Sequence, residues 1–531
     1  MTTSHTDARY RAPTPNVAEG WRFERLTEPS RLFGANGLRT GPDGRVYIAQ
    51  VTGSQISALD LGTGRLQTVS AKGSDIIAPD DVAFAPDGEL YATEVMDGRV
   101  SALGTDGRGR VLRDDLPCAN GITVHDGRLF VNECRDGGRL MELDRATGAR
   151  RILLSDLPSP NAMEVGPDGL LYYPLMTANE IWRVDPEGGE PQRVAADLGV
   201  PDAVKFDADG YIVSTQVATG QVLRIDPRSG DQTLLAQLNP GLDNLAIADG
   251  RLFVSNFTGE ITEVISGETA TVLPGGLNWP LDLTVGDDGG LYVADGTYFY
   301  AVAPDGALQT VGMLFSPGYP GFLRGLAQAG GGEFVVTTSG GQVARYRPAT
   351  NETDYLAVDL DQLYGVAIGP AATIVFAELG TGSVHALRSG HVETLATGLH
   401  DPVGVAFDDD SVLVTESGAG RVVKLTGSGF DVVIDGLQRP QGIAVRDGRL
   451  YIVDAGSKEV VSLDLDSKER TTIASGLPVG PPPGVEPKPL KGMPPFSGPQ
   501  GPFAGIAAGP DGSLYVSADG DGSVVALRRG A

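Results

Sequence analysis

The chain has 531 residues, of which 41% are hydrophobic and 21% are charged. This composition excludes a disordered chain, and the length exceeds that of one average domain. The formal net charge of −27 disfavours nucleic acid or an anionic membrane as a partner. The 74 glycines are typical of many short strands joined by tight turns.

The first 20 residues are polar with scattered prolines, and they predict a flexible tail. They lack the basic segment and apolar core of a signal peptide, and no later stretch is apolar enough to span a membrane. We therefore expect a cytoplasmic protein. The two cysteines, Cys118 and Cys134, are too few for a disulfide framework.

A unit of four short strands repeats about every 40 residues after a lone strand at residues 21–32. Turns such as Pro42-Asp43-Gly44 and Pro167-Asp168-Gly169 separate the strands, because glycine tolerates the positive φ of a tight turn. Such units are typical of propeller blades. Twelve blades in one ring would leave an over-wide channel, so the sequence predicts an all-β fold of two six-bladed β-propellers.

The predicted first propeller spans residues 33–276 and the second spans residues 277–531, with a proline-rich insertion at 476–501. The last blade ends without an outermost strand. Residues 25–29 resemble residues 155–158, which lie where an outermost strand ends. We therefore predict that the N-terminal strand completes blade 12 and closes the second propeller. The insertion is stiff, and it predicts a tether, a clasp or a lid.

One polar position recurs at the start of each predicted inner strand in the first half. It is occupied by Asn36, Asp80, Asn120, Asn161, Asp202 and Asp243. In the second half the same position holds Leu281, Arg324, Tyr364, Val403, Gln441 and Ala504. Turn formation alone would require Asn or Asp in both halves. The difference therefore favours a functional ring in the first propeller, whose oxygen atoms suit a hard cation such as Ca²⁺.

This pattern resembles the calcium-dependent propeller hydrolases, namely the gluconolactonase/senescence-marker-protein family, paraoxonase and diisopropyl fluorophosphatase. The closest local matches are Cys-Ala-Asn-Gly at 118–121 and Ser-Pro-Asn-Ala at 159–162. The resemblance covers residues 33–276 and implies a metal site with Ca²⁺ or another hard divalent cation such as Mg²⁺. The metal ligands that it implies are Asn36, Asn120, Asn161 and Asp202. The family usually has Glu where this chain has Asn36, and no histidine falls near the ring.

The resemblance implies hydrolysis of a small-molecule lactone or ester, in which the metal polarises the carbonyl group and a carboxylate activates water. Asp80 and Asp243 are the first candidates for that carboxylate, because they belong to the ring but not to the implied ligand set. Glu94 and Glu133, at the ends of second strands, are the next candidates. The expected partner is a small-molecule substrate, with no nucleic acid and no membrane.

Two other functions stay open. The blade pattern also resembles streptogramin lyase and strictosidine synthase, which implies a lyase or cyclase. In that case the second channel would hold the chemistry, with candidate residues Arg324, Glu378, Glu416, Gln441 and Asp454. The other alternative is a non-catalytic double propeller that binds a ligand or a protein.

Overall fold

The structure is a computed structural model that describes residue 9 and residues 14–265, 267–427 and 429–530. These residues form twelve antiparallel sheets, of which eleven have four strands and one has five. Helical structure in this part of the chain amounts to one 3-10 turn, Pro370–Ala372. No helix in the described ranges is long and apolar enough to cross a membrane.

Each sheet is one blade, and its strands run in order from the channel outwards, with blade 12 taking its outermost strand from the N-terminus. The inner strands are Leu38–Thr40, Pro79–Phe84, Ala119–His125, Glu164–Val165, Pro201–Phe206, Leu242–Ala248, Leu283–Val285, Leu323–Gly330, Leu363–Ile368, Pro402–Asp408, Pro440–Arg446 and Ile506–Ala508. The second strands are Val46–Gln50, Leu90–Glu94, Arg128–Glu133, Leu171–Leu175, Ile212–Gln216, Arg251–Asn256, Leu291–Asp295, Glu333–Thr338, Ile374–Glu378, Ser411–Glu416, Arg449–Asp454 and Leu514–Ala518.

The two outer layers complete the blades. The third strands are Gln55–Leu59, Arg99–Leu103, Gly138–Leu143, Glu180–Val184, Gln221–Ile225, Ile261–Ile265, Tyr298–Val302, Val343–Arg347, Ser383–Arg388, Arg421–Thr426, Glu459–Asp464 and Ser523–Arg529. The outermost strands are Leu66–Ser70, Gly109–Arg113, Arg150–Leu157, Gln192–Ala195, Gln232–Gln237, Glu268–Leu273, Leu308–Met313, Glu352–Ala357, His391–Ala396, Gly429–Ile434, Arg470–Ser475 and Trp21–Arg25.

The inner strands close into two separate rings of six. Neighbouring inner strands contact each other in chain order, and the inner strand of blade 6 returns to that of blade 1. In the same way the inner strand of blade 12 returns to that of blade 7, where the Gly505 amide donates a hydrogen bond to the Leu281 carbonyl over 2.9 Å. The predicted fold of two six-bladed propellers is confirmed.

Close approach of the inner strands explains why glycine recurs directly after the ring position. At Gly37 a Cβ atom would lie 2.4 Å from the Asp80 carbonyl oxygen, and at Gly442 it would lie 2.6 Å from the Ala504 carbonyl oxygen. Any side chain at these positions would push neighbouring blades apart. The glycines therefore set the width of each channel and the spacing of the side chains around its mouth.

The N-terminal strand closes the second propeller, as the sequence predicts. Trp21–Arg25 pairs antiparallel with Ser523–Arg529, from Trp21 opposite Arg529 to Arg25 opposite Val525. Trp21 and Phe23 pack against the buried core that blades 11 and 12 share. This pairing covers what would otherwise be an open sheet edge.

The predicted flexible tail of residues 1–20 differs from the structure where the structure describes it. Asn16–Val17 forms a fifth strand on the outer edge of blade 11, paired with Ala474 and Ser475. Residues 1–8 and 10–13 lie outside the described residues. The polar composition of the segment concealed this strand, because an edge strand gains its stability from main-chain pairing and buries few side chains.

The chain divides into two compact units. The first contains Arg9, Ser30–Asn278 and Gly484–Pro494. The second contains the described residues of 14–29, 279–483 and 495–530. The proline-rich insertion is thus shared. Its Lys491 forms an ion pair with Asp97 of blade 2 over 2.9 Å, whereas its later residues pack with the second propeller.

Candidate active site in the first propeller

The inner strands of blades 1 to 6 bring the six polar residues of the first ring to one mouth of the channel. Five of them are at most 7% exposed, and Asn36 is half-buried. Burial of six polar side chains has to be compensated by hydrogen bonds or by a ligand. The ring is therefore a built feature of the channel.

The ring is organised as three amide–carboxylate pairs. In each pair an asparagine Nδ2 donates a hydrogen bond to an aspartate Oδ2: Asn36 to Asp243 over 2.9 Å, Asn120 to Asp80 over 2.7 Å, and Asn161 to Asp202 over 3.0 Å. Among the described residues, the Oδ1 atoms of the three aspartates have no hydrogen-bond partner. One oxygen of each carboxylate thus remains available for a ligand.

The three carboxylates are electrostatically unbalanced. Burial and the charge of Asp81 raise the pKa of Asp80 to about 7, although the hydrogen bond from Asn120 opposes the rise. Burial, and then the charges of Asp80 and Asp81, raise the pKa of Asp202 well above its ordinary range. Burial, followed by Asp202 and Asp80, does the same to the pKa of Asp243. A bound cation would remove this mutual repulsion.

A charged layer closes the channel three residues further along the inner strands. Glu164 accepts from Arg39 over 2.7 Å and from Lys205 over 3.0 Å. The Arg39 guanidinium also donates to the carbonyl oxygens of Val82 and Ile122. Burial acts against ionisation of Glu164, but the charges of Lys205 and Arg39 outweigh it and lower its pKa to about 2. The two cations of this layer therefore pair with Glu164, and Arg39 also with Asp81 over 3.9 Å, rather than with the ring carboxylates.

The predicted division of the ring into ligands and a general base is not visible in the geometry. Asp80 and Asp243 are predicted as bases and Asp202 as a ligand. All three are buried, and each accepts one hydrogen bond from the Nδ2 of its own asparagine. Asn36 also uses its Oδ1 to accept from the Val51 amide over 3.1 Å. The assignments of Asn36, Asn120, Asn161 and Asp202 as metal ligands therefore stay predictions.

Glu94 and Glu133 are engaged in the blade scaffold. Glu94 forms an ion pair with Arg99 over 2.7 Å and accepts a hydrogen bond from the Ile77 amide over 2.5 Å. Glu133 accepts from the Arg139 guanidinium, with a 2.7 Å bond to Nε. Both carboxylates are fully buried and fully partnered. Their roles as candidate bases thus have no support from the geometry.

The same scaffold role recurs at the ends of second strands in both propellers. In these blades a side-chain oxygen accepts from a main-chain amide in the segment that enters its own blade. The pairs are Gln50 with Phe33, Gln216 with Gly199, Asp295 with Trp279, Glu378 with Asp361, Glu416 with His400, and Asp454 with Gln438. A comparison of the two halves of the sequence at this position could have identified the role, because polar residues occupy it in both.

Met176 lies beside the ring residue Asn161. The structure puts its sulfur 3.0 Å from Asn161 Nδ2 and 3.6 Å from Cys134 Sγ. Cys118 and Cys134 are both free and buried, and burial raises the pKa of Cys118 to about 11. These thiols are therefore protonated and inert near neutral pH.

The mouth of the second propeller has a different chemistry. Arg324 is 1% exposed, and its guanidinium carbon lies 4.2 Å from the centre of the Tyr364 ring. Of the other second-channel candidates, Glu378, Glu416 and Asp454 belong to the scaffold set above. Gln441 accepts from the Ala504 amide over 2.7 Å. Deeper in this channel lies a cavity of about 370 Å³, and Asp282 alone is ionisable among the described residues that line it.

The residues of the first ring fit a hard dication better than any other group. All donors are carboxylate or amide oxygens, which are the ligands that Ca²⁺ and Mg²⁺ prefer. Within the described ranges, no three His, Cys, Asp or Glu side chains are grouped closely enough to hold a metal by themselves. The asparagine oxygens would therefore have to take part in binding, which agrees with the presence of both Asn and Asp around the ring.

Comparison with known proteins supports the resemblance of the first half. Residues 18–239 match the model of the SMP-30/gluconolactonase/LRE-like region, which is less than half of the chain. The predicted family resemblance of the first propeller is confirmed. No curated protein matches the chain.

Three solved structures resemble parts of the chain. A streptogramin B lyase is 18% identical with a TM-score of 0.39, covering 52% of this chain and 96% of its own. A gluconolactonase from Xanthomonas campestris is 16% identical with a TM-score of 0.38, covering 48% and 96%. Regucalcin, a calcium-binding protein from Agrobacterium tumefaciens, is 20% identical with a TM-score of 0.36, covering 44% and 85%.

Proposed function

We propose that the first propeller is a metal-dependent hydrolase of a small-molecule lactone or ester. The observation that carries the proposal is the ring of three buried carboxylates, each with one oxygen free of hydrogen bonds among the described residues. The family match over residues 18–239 supports the reaction class. The ring lies at a channel mouth, where a small substrate could reach it.

Asn36, Asn120, Asn161 and Asp202 would hold a Ca²⁺ or Mg²⁺ ion. When bound, the ion supplies Lewis-acid polarisation of the substrate carbonyl. Asp80 or Asp243 would act as general base, because each is a ring carboxylate outside the implied ligand set and keeps one oxygen free of hydrogen bonds among the described residues. The Arg39–Glu164–Lys205 layer lies below the ring, three residues further along the inner strands, and forms the floor of the proposed site.

The proposal is tested with a panel of lactones, aryl esters and phosphotriesters, assayed with added Ca²⁺ and after treatment with EDTA. We expect turnover of a lactone or ester that EDTA abolishes and Ca²⁺ restores. Asn161→Ala and Asp202→Ala should each abolish it, whereas Gln441→Ala, a change at the equivalent position of the second ring, should retain it. Turnover that survives EDTA and both first-ring variants would sink the proposal.

The lyase alternative has less support in the geometry. Its candidates Glu378, Glu416 and Asp454 are bonded to main-chain amides of their own blades. The same panel decides this alternative, because activity that disappears with Arg324→Ala and survives Asp202→Ala would place the chemistry in the second propeller.

A further inference from the structure

Arg324 is a buried cation without a counter-ion. It is 1% exposed, and among the described residues no carboxylate forms an ion pair with it. Its Nη2 donates to the Gly501 carbonyl oxygen over 2.6 Å, but its buried Nη1 has no hydrogen-bond partner in the same part of the chain. Buried arginines are almost always paired, because an unpaired charge is costly to remove from water.

The surroundings fix the orientation of this guanidinium. Its carbon lies 4.2 Å from the centre of the Tyr364 ring and 5.6 Å from that of Trp279. The group therefore lies over two aromatic rings, while its Nη1 has no hydrogen-bond partner among the described residues. A buried guanidinium with unpaired N–H groups is suited to a carboxylate or a phosphate, since it can bind two oxygens of either group.

A second buried polar group lies beside the residue that Arg324 contacts. Gln500, the neighbour of Gly501 in the chain, is 4% exposed, and neither its Oε1 nor its Nε2 has a hydrogen-bond partner in the described ranges. An amide with both atoms buried and unpaired normally indicates a missing ligand or water. Two buried groups with unpaired polar atoms thus meet at one short segment, because Gln500 adjoins the Gly501 carbonyl to which Arg324 donates.

A short strap, residues 498–502, crosses this mouth. Its Gly498 amide donates to Ser339 Oγ over 3.3 Å, and its Pro502 carbonyl accepts from Gln441 Nε2 over 3.5 Å. A Cβ atom at Gly501 would lie 2.8 Å from the Tyr364 hydroxyl, so glycine lets the strap approach this closely. The strap carries Gln500 and the carbonyl that accepts from Arg324.

We propose that the second propeller binds a small oxyanion, a carboxylate or phosphate group, between the free N–H edge of Arg324 and the side-chain amide of Gln500. The site is separate from the proposed hydrolase centre, because every residue in it belongs to the second unit. The two channels would then select ligand groups of opposite charge: a dication in the first and an oxyanion in the second.

Calorimetric titration of the full EDTA-treated chain with inorganic phosphate, and separately with acetate, tests this site. EDTA removes any binding through a metal in the first propeller, so the result is independent of the hydrolase proposal. We expect saturable binding of at least one anion at one site per chain. The two probes distinguish a phosphate from a carboxylate ligand.

Arg324→Met and Gln500→Leu should each weaken this binding at least tenfold, whereas Arg345→Met should leave it unchanged. Arg345 is a matched control in the same blade, half-exposed and paired with Glu333. Arg324→Lys keeps the positive charge but loses the paired N–H groups of the guanidinium, so it should also weaken binding. It replaces Arg324→Met in the test if that variant does not fold. No saturable binding of either anion, or unchanged affinity in Gln500→Leu or in the folded Arg324 variants, would overturn the proposal.

Discussion

The two propellers share one scaffold and differ at one position in each blade. At the ends of second strands, both halves use a polar side chain to hold the segment that enters the blade, as Gln50 does in blade 1 and Glu416 in blade 10. At the ring position the first half has Asn and Asp, whereas the second half has one cation, Arg324, among neutral residues. Polar residues that recur in both halves hold the fold, and those confined to one half mark a function.

The largest expected effect is on closure of the second propeller. A chain that begins at residue 30 lacks Trp21–Arg25, so the core around Val525 and Leu527 loses its cover. We expect the melting temperature of the second propeller to fall by roughly 10 °C or more. Hydrogen–deuterium exchange can follow Leu514–Ala518 for the second propeller and Leu90–Glu94 for the first.

Leu514–Ala518 should lose far more protection than Leu90–Glu94 in this truncated chain, although the truncation also removes Arg9, which donates to the Leu32 and Leu277 carbonyls of the first unit. Arg22→Ala is the control, because Arg22 lies on the exposed face of the same strand and its loss should change little. Unchanged protection of Leu514–Ala518 after truncation would show that the N-terminal strand is dispensable for closure.

The second prediction concerns the effect of the ring carboxylates on calcium affinity. Asp202→Asn keeps the shape of the side chain but removes one of three carboxylates, so we expect about a 100-fold loss of Ca²⁺ affinity, or about 2.7 kcal/mol. Asp243→Asn should mainly lower kcat, because Asp243 is proposed as a base rather than a ligand. Calcium titration and steady-state kinetics on both variants separate the two roles.

Equal losses of calcium affinity in Asp202→Asn and Asp243→Asn would contradict this division. The ring would then act as a symmetrical cage in which all three carboxylates bind the ion. Gln441→Asn, a change at the equivalent position of the second ring, is the control and should leave calcium binding as it is.

Glu164 is expected to have an effect of similar size, but on the free energy of unfolding rather than on calcium binding. Glu164→Gln removes the carboxylate that pairs with both Arg39 and Lys205, and it leaves Arg39 with the more distant Asp81, 3.9 Å away. The cost of breaking such a shielded network is about 3 kcal/mol in the free energy of unfolding. Glu393→Gln removes an exposed ion pair with Arg388 and should cost less than about 1 kcal/mol. Urea denaturation of both variants measures the difference, and equal values would show that the layer is solvated.

Much of this fold was predictable because each repeat is encoded by short sequence patterns. Asp-Gly turns and alternating strands repeat often enough to determine the number of blades, and residues 25–29 indicated the closing strand. The ring positions followed from the same phase of the repeat. Pairing within the ring was not predictable, because it depends on which side chains face each other across blades. Asn36 and Asp243, for example, are far apart in the chain but form a hydrogen bond.

Two of the predicted bases have the same kind of partner in the structure. Glu94 and Glu133 were candidates because an acid near the channel can act as a base, but their arginine partners come from the third strand of the same blade, at Arg99 and Arg139. The sequence contains these arginines, but only the strand register places them opposite the acids. Arg324 lacks such a partner among the described residues, and this too becomes visible only when the blades are assembled.

The smallest expected effect is the pH dependence that Asp282 gives to the second propeller. Burial raises the pKa of Asp282 to about 7 from an ordinary value of 3.8, although the main-chain amides of Leu326 and Leu283 donate to it. Between these two pH values the folded chain keeps a proton that the unfolded chain has released. The stabilising contribution is therefore complete below about pH 4 and is lost as the pH rises through 7.

Asp282→Asn removes this dependence, and Asn244 shows that asparagine fits the position, since it accepts the Leu245 amide in the same way in blade 6. From pH 5 to pH 8 the wild-type chain should lose about 2 kcal/mol more unfolding free energy than Asp282→Asn. Urea denaturation across this range measures both slopes, with Asp288→Asn, a change at the surface, as control. Parallel slopes for wild type and Asp282→Asn would mean that solvent reaches the carboxylate, and that the cavity below the second ring is open to water at the depth of Asp282.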